Sequence, residues 1–205
     1  MVLFRWFGLS CFEISNSLAI VTDPHDGKTV GLAEPNIKGD VITISHNHFD
    51  HASGEDLVSK ENSNILKETG KYQINDIQVE GISNERDDSR GRNIYFIFTV
   101  DGFRICHLGD LGYRLSSKNI EKIKPVDILL IPVGGTGGQE GREAAQLIEK
   151  LDPRIVIPMH YKINELNIDI SDEKEFLRIM RDKNWNIEDK DKIKIKNLPK
   201  NKKII

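Results

Sequence analysis

Residues 46–51, with the sequence His-Asn-His-Phe-Asp-His, constrain this chain more than any other stretch. They follow the run Val41–Ser45, whose apolar and β-branched residues predict a short buried strand. The loop after such a strand, at its C-terminal end, is where open α/β layers place their active sites. Three imidazoles and one carboxylate at that point are good ligands for a divalent metal ion.

The spacing within the hexapeptide divides its ligands into two pairs. In an extended segment the side chains at positions i and i+2 point the same way, so His46 and His48 can bind one metal ion together. Asp50 and His51 come after the chain turns and can face a second ion. A lone histidine is usually an ordinary surface residue, but four ligand-type residues at a strand end favour a metal site.

Composition is that of a compact enzyme rather than a nucleic-acid-binding protein. The chain has 205 residues, of which 38% are hydrophobic and 30% charged, with a formal net charge of −3. No apolar run is long enough to span a bilayer and no signal-peptide pattern begins the chain, so we expect one cytoplasmic domain over residues 1–205. Cys11 and Cys106 are too few for a disulfide scaffold, and both lie in apolar runs that predict buried free thiols.

The pattern of apolar residues predicts strands first and alternating helices and strands later, which favours the α/β class. Asp101-Gly102 is a strong turn signal and predicts a hairpin between Ile94–Val100 and Phe103–Cys106. The other predicted strands are Leu3–Phe7, Cys11–Ile14, Leu18–Asp23, Tyr72–Ile74, Ile77–Ile82, Val126–Pro132, Arg154–Pro158 and, near the end, Lys192–Ile195. The predicted helices are Ser117–Ile123, Glu140–Leu151 and Asp172–Asp182, the last with Ser171 as N-cap.

Residues 46–51 match the His-x-His-x-Asp-His signature of the metallo-β-lactamase superfamily, which the chain resembles over about residues 3–198. Residues 19–24, 104–112 and 156–161 resemble further motifs of that superfamily. Within it, residues 109–112, 131–135 and 157–161 resemble a branch of metal-dependent hydrolases related to the L-ascorbate-6-phosphate lactonases. The resemblance implies a four-layer αββα sandwich of two similar halves.

The same resemblance implies six metal ligands, which are His46, His48, Asp50, His51, Asp110 and His160. It makes Asp110 a bridging carboxylate, and we expect Asp23 to orient the ligand loop through hydrogen bonds. His107 is expected to have a supporting or structural role, and nothing in the sequence requires His25 to bind metal.

One expected ligand is missing. Two-metal members of the superfamily supply another histidine between the hexapeptide and the bridging aspartate, and this chain has none between His51 and His107. Glu85 lies nearest to the missing position, with Asp87 and Asp88 as alternatives. We therefore expect the centre to hold one or two divalent ions, with zinc expected first and manganese or iron favoured if a carboxylate replaces the histidine.

The implied chemistry is metal-assisted hydrolysis, because a divalent ion lowers the pKa of bound water towards neutrality. Asp50 is the expected catalytic residue, holding that water and acting as base. The expected partner is a small-molecule lactone, ester or phosphodiester, with no membrane, and a homo-oligomer is compatible with the sequence. Two alternatives stay open: a nuclease acting on nucleic acid, which the charge disfavours, and a metal-binding protein that has lost catalysis.

Two further features are candidate anion-binding groups. Residues 134–138, Gly-Gly-Thr-Gly-Gly, follow a predicted strand and precede a helix, so their backbone N–H groups could bind a phosphate. Arg86, Arg90 and Arg92 could recognise a substrate phosphate or carboxylate, although a solvated loop is the more ordinary interpretation of such a stretch.

Overall fold

The protein is built from two packed β-sheets, described here from a computed structural model over residues 1–83, 92–111, 115–136 and 140–205. In chain order the elements are β1 (Val2–Trp6), β2 (Phe12–Ser15), β3 (Ala19–Thr22), β4 (Gly39–Thr43), α1 (Phe49–Ala52), α2 (Glu55–Val58), β5 (Ser59–Leu66), β6 (Gly70–Ile74), β7 (Ile77–Ser83), β8 (Ile94–Val100), β9 (Phe103–His107), α3 (Ser117–Ile123), β10 (Ile128–Pro132), α4 (Glu140–Leu151), β11 (Ile155–Met159), α5 (Lys174–Asp182), β12 (Asn186–Ile187), β13 (Lys192–Ile195) and β14 (Lys203–Ile204).

Within the described residues, the first sheet has the strand order β13-β1-β2-β3-β4-β5 and the second the order β12-β14-β11-β10-β9-β8-β7-β6. The β8–β9 hairpin confirms the predicted turn, where Asp101 and Gly102 both have positive φ, at 49° and 79°. β3 and β4 are parallel, and so are β9, β10 and β11. The C-terminal ends of parallel neighbours meet at one edge, so each sheet brings several strand ends to a common rim.

Apolar side chains from the inner faces of both sheets form the main core. Phe4 and Ile14 of the first sheet and Phe96 and Leu130 of the second belong to this one buried cluster. Alternation along each strand produces it, since Val2 and Phe4 of β1 are buried whereas the residues between and after them are partly exposed. The core holds the two rims in a fixed position relative to each other.

Helices cover the outer faces unequally. The helices α3, α4 and α5 pack on the second sheet, where Ile148 and Phe176 join Leu129 and Val156 in a second buried cluster. On the first sheet the cover is thin, with one-turn helices α1 and α2 and a small cluster around Ile42. This arrangement confirms the predicted αββα sandwich. No helix of the described chain is long and apolar enough to cross a bilayer.

Some predicted boundaries are wrong. The helix α5 begins at Lys174 with Glu173 at its N-cap, and the Ser171 hydroxyl instead accepts a hydrogen bond from the Gly135 N–H. β5 was not predicted, because as an edge strand it exposes most of its polar side chains. β14 was not predicted either; it is two residues long and pairs with β11 and β12.

Candidate metal centre

The predicted ligands come from three strand ends that meet at one rim. Residues 46–51 follow β4, Asp110 follows β9 and His160 follows β11. His160 has a left-handed backbone with φ of 52°, and its N–H donates to the carbonyl of Leu9 at 3.1 Å. Histidine is one of the few residue types besides glycine that adopt this conformation with some frequency.

Ligand atoms of Asp50, His51 and His160 all lie within 4.8 Å of one another, and the three residues are buried. Asp50 Oδ2 is at the centre of this group, 3.3 Å from His51 Nε2 and 3.2 Å from His160 Nε2. His46, His51 and Asp110 form a second group within the same limit. The structure therefore brings together five of the six predicted ligands, and His51 is common to both groups.

His48 is the sixth predicted ligand and lies outside both groups. Its ring is stacked edge-on against His46 with the centroids 4.3 Å apart, and its Nδ1 is 3.0 Å from His46 Nε2. The predicted pairing of the two imidazoles is thus present. His48 is exposed, however, whereas His46 is only partly exposed and its ring approaches that of His51 at 4.3 Å.

Asp23 supports the centre from behind, as the sequence predicted. It is fully buried, and its carboxylate accepts hydrogen bonds from His51 Nδ1–H at 2.8 Å and from the N–H and hydroxyl of Ser45, both at 2.7 Å. Because the Ser45 hydroxyl donates to Asp23, it accepts from His46 Nδ1–H at 3.0 Å. Both imidazoles are therefore protonated on Nδ1, which leaves Nε2 as the metal-binding nitrogen.

The charges of the site are strongly coupled. Burial lowers the pKa of His51, but Asp23 and Asp50 outweigh it and raise that pKa to about 10. Burial likewise opposes ionisation of Asp50, yet the hydrogen bond from His160 and the close contact with the His51 imidazole hold its pKa well below the ordinary range. Burial, followed by repulsion from His51, lowers the pKa of His46 to about 4. The arrangement favours one positive charge between Asp23 and Asp50.

These residues fit a divalent metal ion. In the part of the chain that the structure describes, His51 Nε2 and His160 Nδ1 are buried and make no hydrogen bond. Buried polar atoms normally have partners, so an unpaired imidazole nitrogen at a cluster of carboxylates and imidazoles is expected to face a ligand. A set of nitrogen and carboxylate oxygen donors suits zinc, manganese or iron.

His25 and His107 are structural. Each is fully buried, and each donates through Nε2 to a carbonyl of the β1–β2 turn, Phe7 for His25 and Ser10 for His107, at 3.0 Å. Each also accepts at Nδ1 a backbone N–H two residues further on. Burial lowers the pKa of both imidazoles, which keeps them neutral.

Sequence reasoning missed Asn93. It is buried, its Oδ1 accepts the N–H of Asp110 at 3.2 Å, and its Nδ2 donates to the carbonyl of Leu108 at 2.9 Å. It thus fixes the loop that carries Asp110. No sequence signal indicates this role, since Asn93 ends a polar stretch typical of a surface loop. The position of Ser45, directly before the first ligand His46, could have indicated its supporting role.

The structure gives little support to the candidate anion-binding groups. The N–H of Gly134 donates to the carbonyl of His160, and the N–H of Gly135 donates to Ser171, so neither is available to a phosphate. Arg92 pairs with Glu68 at 3.0 Å. The remaining candidates lie outside the described residues, and these are Glu85, Arg86, Asp87, Asp88, Arg90, Gly137 and Gly138.

Comparison with known proteins finds one family and close structural relatives. Residues 3–160 match the model of the Beta-lactamase superfamily domain. A UPF0173 protein of Pyrococcus abyssi is 32% identical over 178 residues, covering 76% of this chain and 81% of that protein. A UPF0173 metal-dependent hydrolase of Thermococcus onnurineus is 28% identical, covering 89% of this chain and 94% of that protein.

Among solved structures, a candidate Zn-dependent hydrolase of the metallo-β-lactamase superfamily from Thermotoga maritima superposes with a TM-score of 0.82. The two sequences are 32% identical, and the superposition covers all of this chain and 97% of the Thermotoga maritima chain. A metallo hydrolase from Ignicoccus hospitalis has a TM-score of 0.66 at 21% identity, covering 89% of this chain and 91% of that one, and so shares the fold.

Proposed function

This chain belongs to the β-lactamase superfamily and is a metal-dependent hydrolase of the metallo-β-lactamase fold, and we propose that it hydrolyses a small-molecule lactone, ester or phosphodiester. The observation that carries the proposal is the position of Asp50. Its carboxylate is buried among the imidazoles of His51 and His160, both of which contact the same oxygen, Oδ2. In the described part of the chain Asp50 Oδ1 makes no hydrogen bond and is free to accept one.

Asp50 is the proposed catalytic residue. A divalent ion held at this rim supplies Lewis acidity to a substrate oxygen and acidifies water. The Oδ1 atom of Asp50 can accept a proton of the attacking water and so orient its lone pair towards the substrate. The low pKa of Asp50 keeps this carboxylate ionised, and its burial limits competing hydrogen bonds from solvent.

We propose Asp50, His51 and His160 as the ligands of the tighter ion, completed by Asp110. His46 and His48, with Asp110 between the two positions, are the proposed ligands of a weaker second ion. One nitrogen cannot serve both ions, and His51 Nδ1 is already bonded to Asp23, so His51 belongs to one site only. Zinc is the metal proposed first, with manganese or iron as alternatives.

A small molecule is the proposed substrate in preference to nucleic acid. The formal net charge of −3 gives no general attraction to a polyanion. The likeness to the lactonase-related branch adds lactones to esters and phosphodiesters as classes to test.

The test uses one chromogenic substrate of each class, with protein loaded in turn with zinc, manganese and iron. Asp50→Asn should lower kcat by about 100-fold or more on every active substrate. Asp56→Asn is the matched control, since it makes the same change on an exposed residue of α2 and should leave kcat unchanged.

Two results would redirect the proposal. Failure of metal-loaded protein on all three classes would favour a metal-binding protein without catalysis. Cleavage restricted to RNA or single-stranded DNA, with binding that weakens steeply as salt rises, would favour a nuclease.

A further inference from the structure

A cavity of about 260 Å³ is lined by residues of both sheets and of α5. Tyr161, which directly follows the candidate ligand His160, forms part of its wall. Residues 173, 177 and 181, which run along α5 from its N-cap to its last turn, and residues 187–191 and 193 complete the lining. It is therefore separate from the ligand cluster but shares one chain segment with it.

Three aromatic rings form one side of this aromatic cavity. The ring of Trp6 lies 5.0 Å from that of Tyr161 and 6.3 Å from that of Phe12, measured between centroids. The Trp6 indole N–H donates to the carbonyl of Leu9 at 2.9 Å, which fixes the ring against the turn. The faces of such rings attract positive charge through their quadrupoles.

The polar side of the cavity carries an excess of carboxylates. Glu188 is neutralised by Lys190 at 2.8 Å and by Lys203 at 2.5 Å. No ion pair in the described part of the chain reaches the other three acidic residues of the lining, which are Glu173, Asp189 and Asp191. Arg181 is the one other basic residue that lines it.

We propose that the aromatic cavity binds a small organic cation, a substituted ammonium ion whose apolar groups contact Trp6, Phe12 and Tyr161 while Glu173 and Asp189 balance its charge. An anion would meet more carboxylates than cationic groups in this lining, and an uncharged apolar molecule would gain no attraction from them. A bare divalent ion is disfavoured too. The clusters of metal-ligating atoms found in the described residues are those of the metal centre, and none involves these carboxylates.

Fluorescence of Trp6 provides a direct assay. The chain has two tryptophans, so Trp185→Phe leaves Trp6 as the sole reporter. Benzyltrimethylammonium should change its emission saturably, with a Kd below about 1 mM. Benzyl alcohol and benzenesulfonate, the neutral and anionic probes of similar shape, should bind at least about tenfold more weakly.

Substitutions locate the site. Glu173→Gln and Asp189→Asn should each weaken benzyltrimethylammonium binding about fivefold. Glu173 makes no capping hydrogen bond through its side chain, so its change should leave α5 intact, which a thermal melt checks. Glu61→Gln, an exposed change on β5 at the opposite edge of the first sheet, should have no effect. Absence of saturable binding up to about 10 mM, equal affinity for the three probes, or unchanged affinity in both cavity variants would overturn the proposal.

Discussion

Replacing Asp23 by Asn should weaken metal binding without removing a ligand. In the variant the amide oxygen can still accept the Ser45 N–H, but the NH₂ group would face His51 Nδ1. In the wild-type protein that nitrogen carries a proton and donates to Asp23, so two donors would meet. His51 can accept that hydrogen bond only if its proton moves to Nε2, the nitrogen proposed to bind the metal. Loss of such a supporting partner typically costs 10- to 100-fold in metal affinity, or about 1.4–2.8 kcal/mol. We expect Asp23→Asn to fall in that range.

The assay is competition for zinc against a chromophoric chelator at a temperature where both proteins are folded. Asp26→Asn is the matched control, because it makes the same chemical change three residues away. Its carboxylate bonds only Thr29 in the described structure, through the N–H at 2.8 Å and the hydroxyl at 2.6 Å. Wild-type affinity in Asp23→Asn, or an equal loss in Asp26→Asn, would refute the account of how the His51 proton is placed.

Three further predictions concern ligand rank, backbone strain and thiol reactivity. His51→Ala should lose the tighter metal ion and His48→Ala should keep it, as elemental mass spectrometry of purified protein would show; equal loss would contradict the proposed ranking. Gly109→Ala should destabilise the fold by about 1–3 kcal/mol more than Gly102→Ala in urea unfolding. Both glycines have positive φ, but an added Cβ at Gly109 would lie 2.4 Å from a side-chain oxygen, whereas one at Gly102 would meet nothing within 4 Å. Equal losses of unfolding free energy in the two variants would refute the claim that this steric clash adds to the cost. Burial raises the pKa of the Cys11 thiol and raises that of Cys106 to about 12. Ellman's reagent at pH 8 should therefore label neither thiol until the protein unfolds. Fast labelling of the native protein would contradict this, because it would show that a thiol is accessible.

Much of the fold could be predicted from the sequence, because burial imposes a period on the residues. The hairpin around Asp101-Gly102 and the helices α3 and α4 are where the pattern placed them. The prediction failed where burial is slight. β5 forms at the edge of its sheet through backbone hydrogen bonds to β4, and its sequence Ser-Lys-Glu-Asn-Ser-Asn carries no apolar alternation that could reveal it.

The candidate site likewise has features that the sequence predicts and features that it does not. Its ligand types could be predicted because metal binding demands imidazoles and carboxylates at a strand end, and five of them converge in the structure. The exposure of His48 could not be predicted, since the difference between exposed His48 and buried His51 depends on how α1 turns after β4. Asn93 was missed for another reason. An asparagine that holds a backbone N–H looks, in a sequence, like any polar loop residue.

The position of the centre depends on a turn that contains no ligand. The carbonyl groups of residues 7–11, between β1 and β2, accept hydrogen bonds from the imidazoles of His25 and His107 and from the backbone N–H of His160. These three donors lie on, or directly before, the three loops that carry Asp23, Asp110 and the last candidate ligand. The turn therefore sets the distance between loops that come from different sheets. Every residue has a carbonyl group, so no pattern of side chains could have revealed this role, and only the fold shows which carbonyls meet which loops.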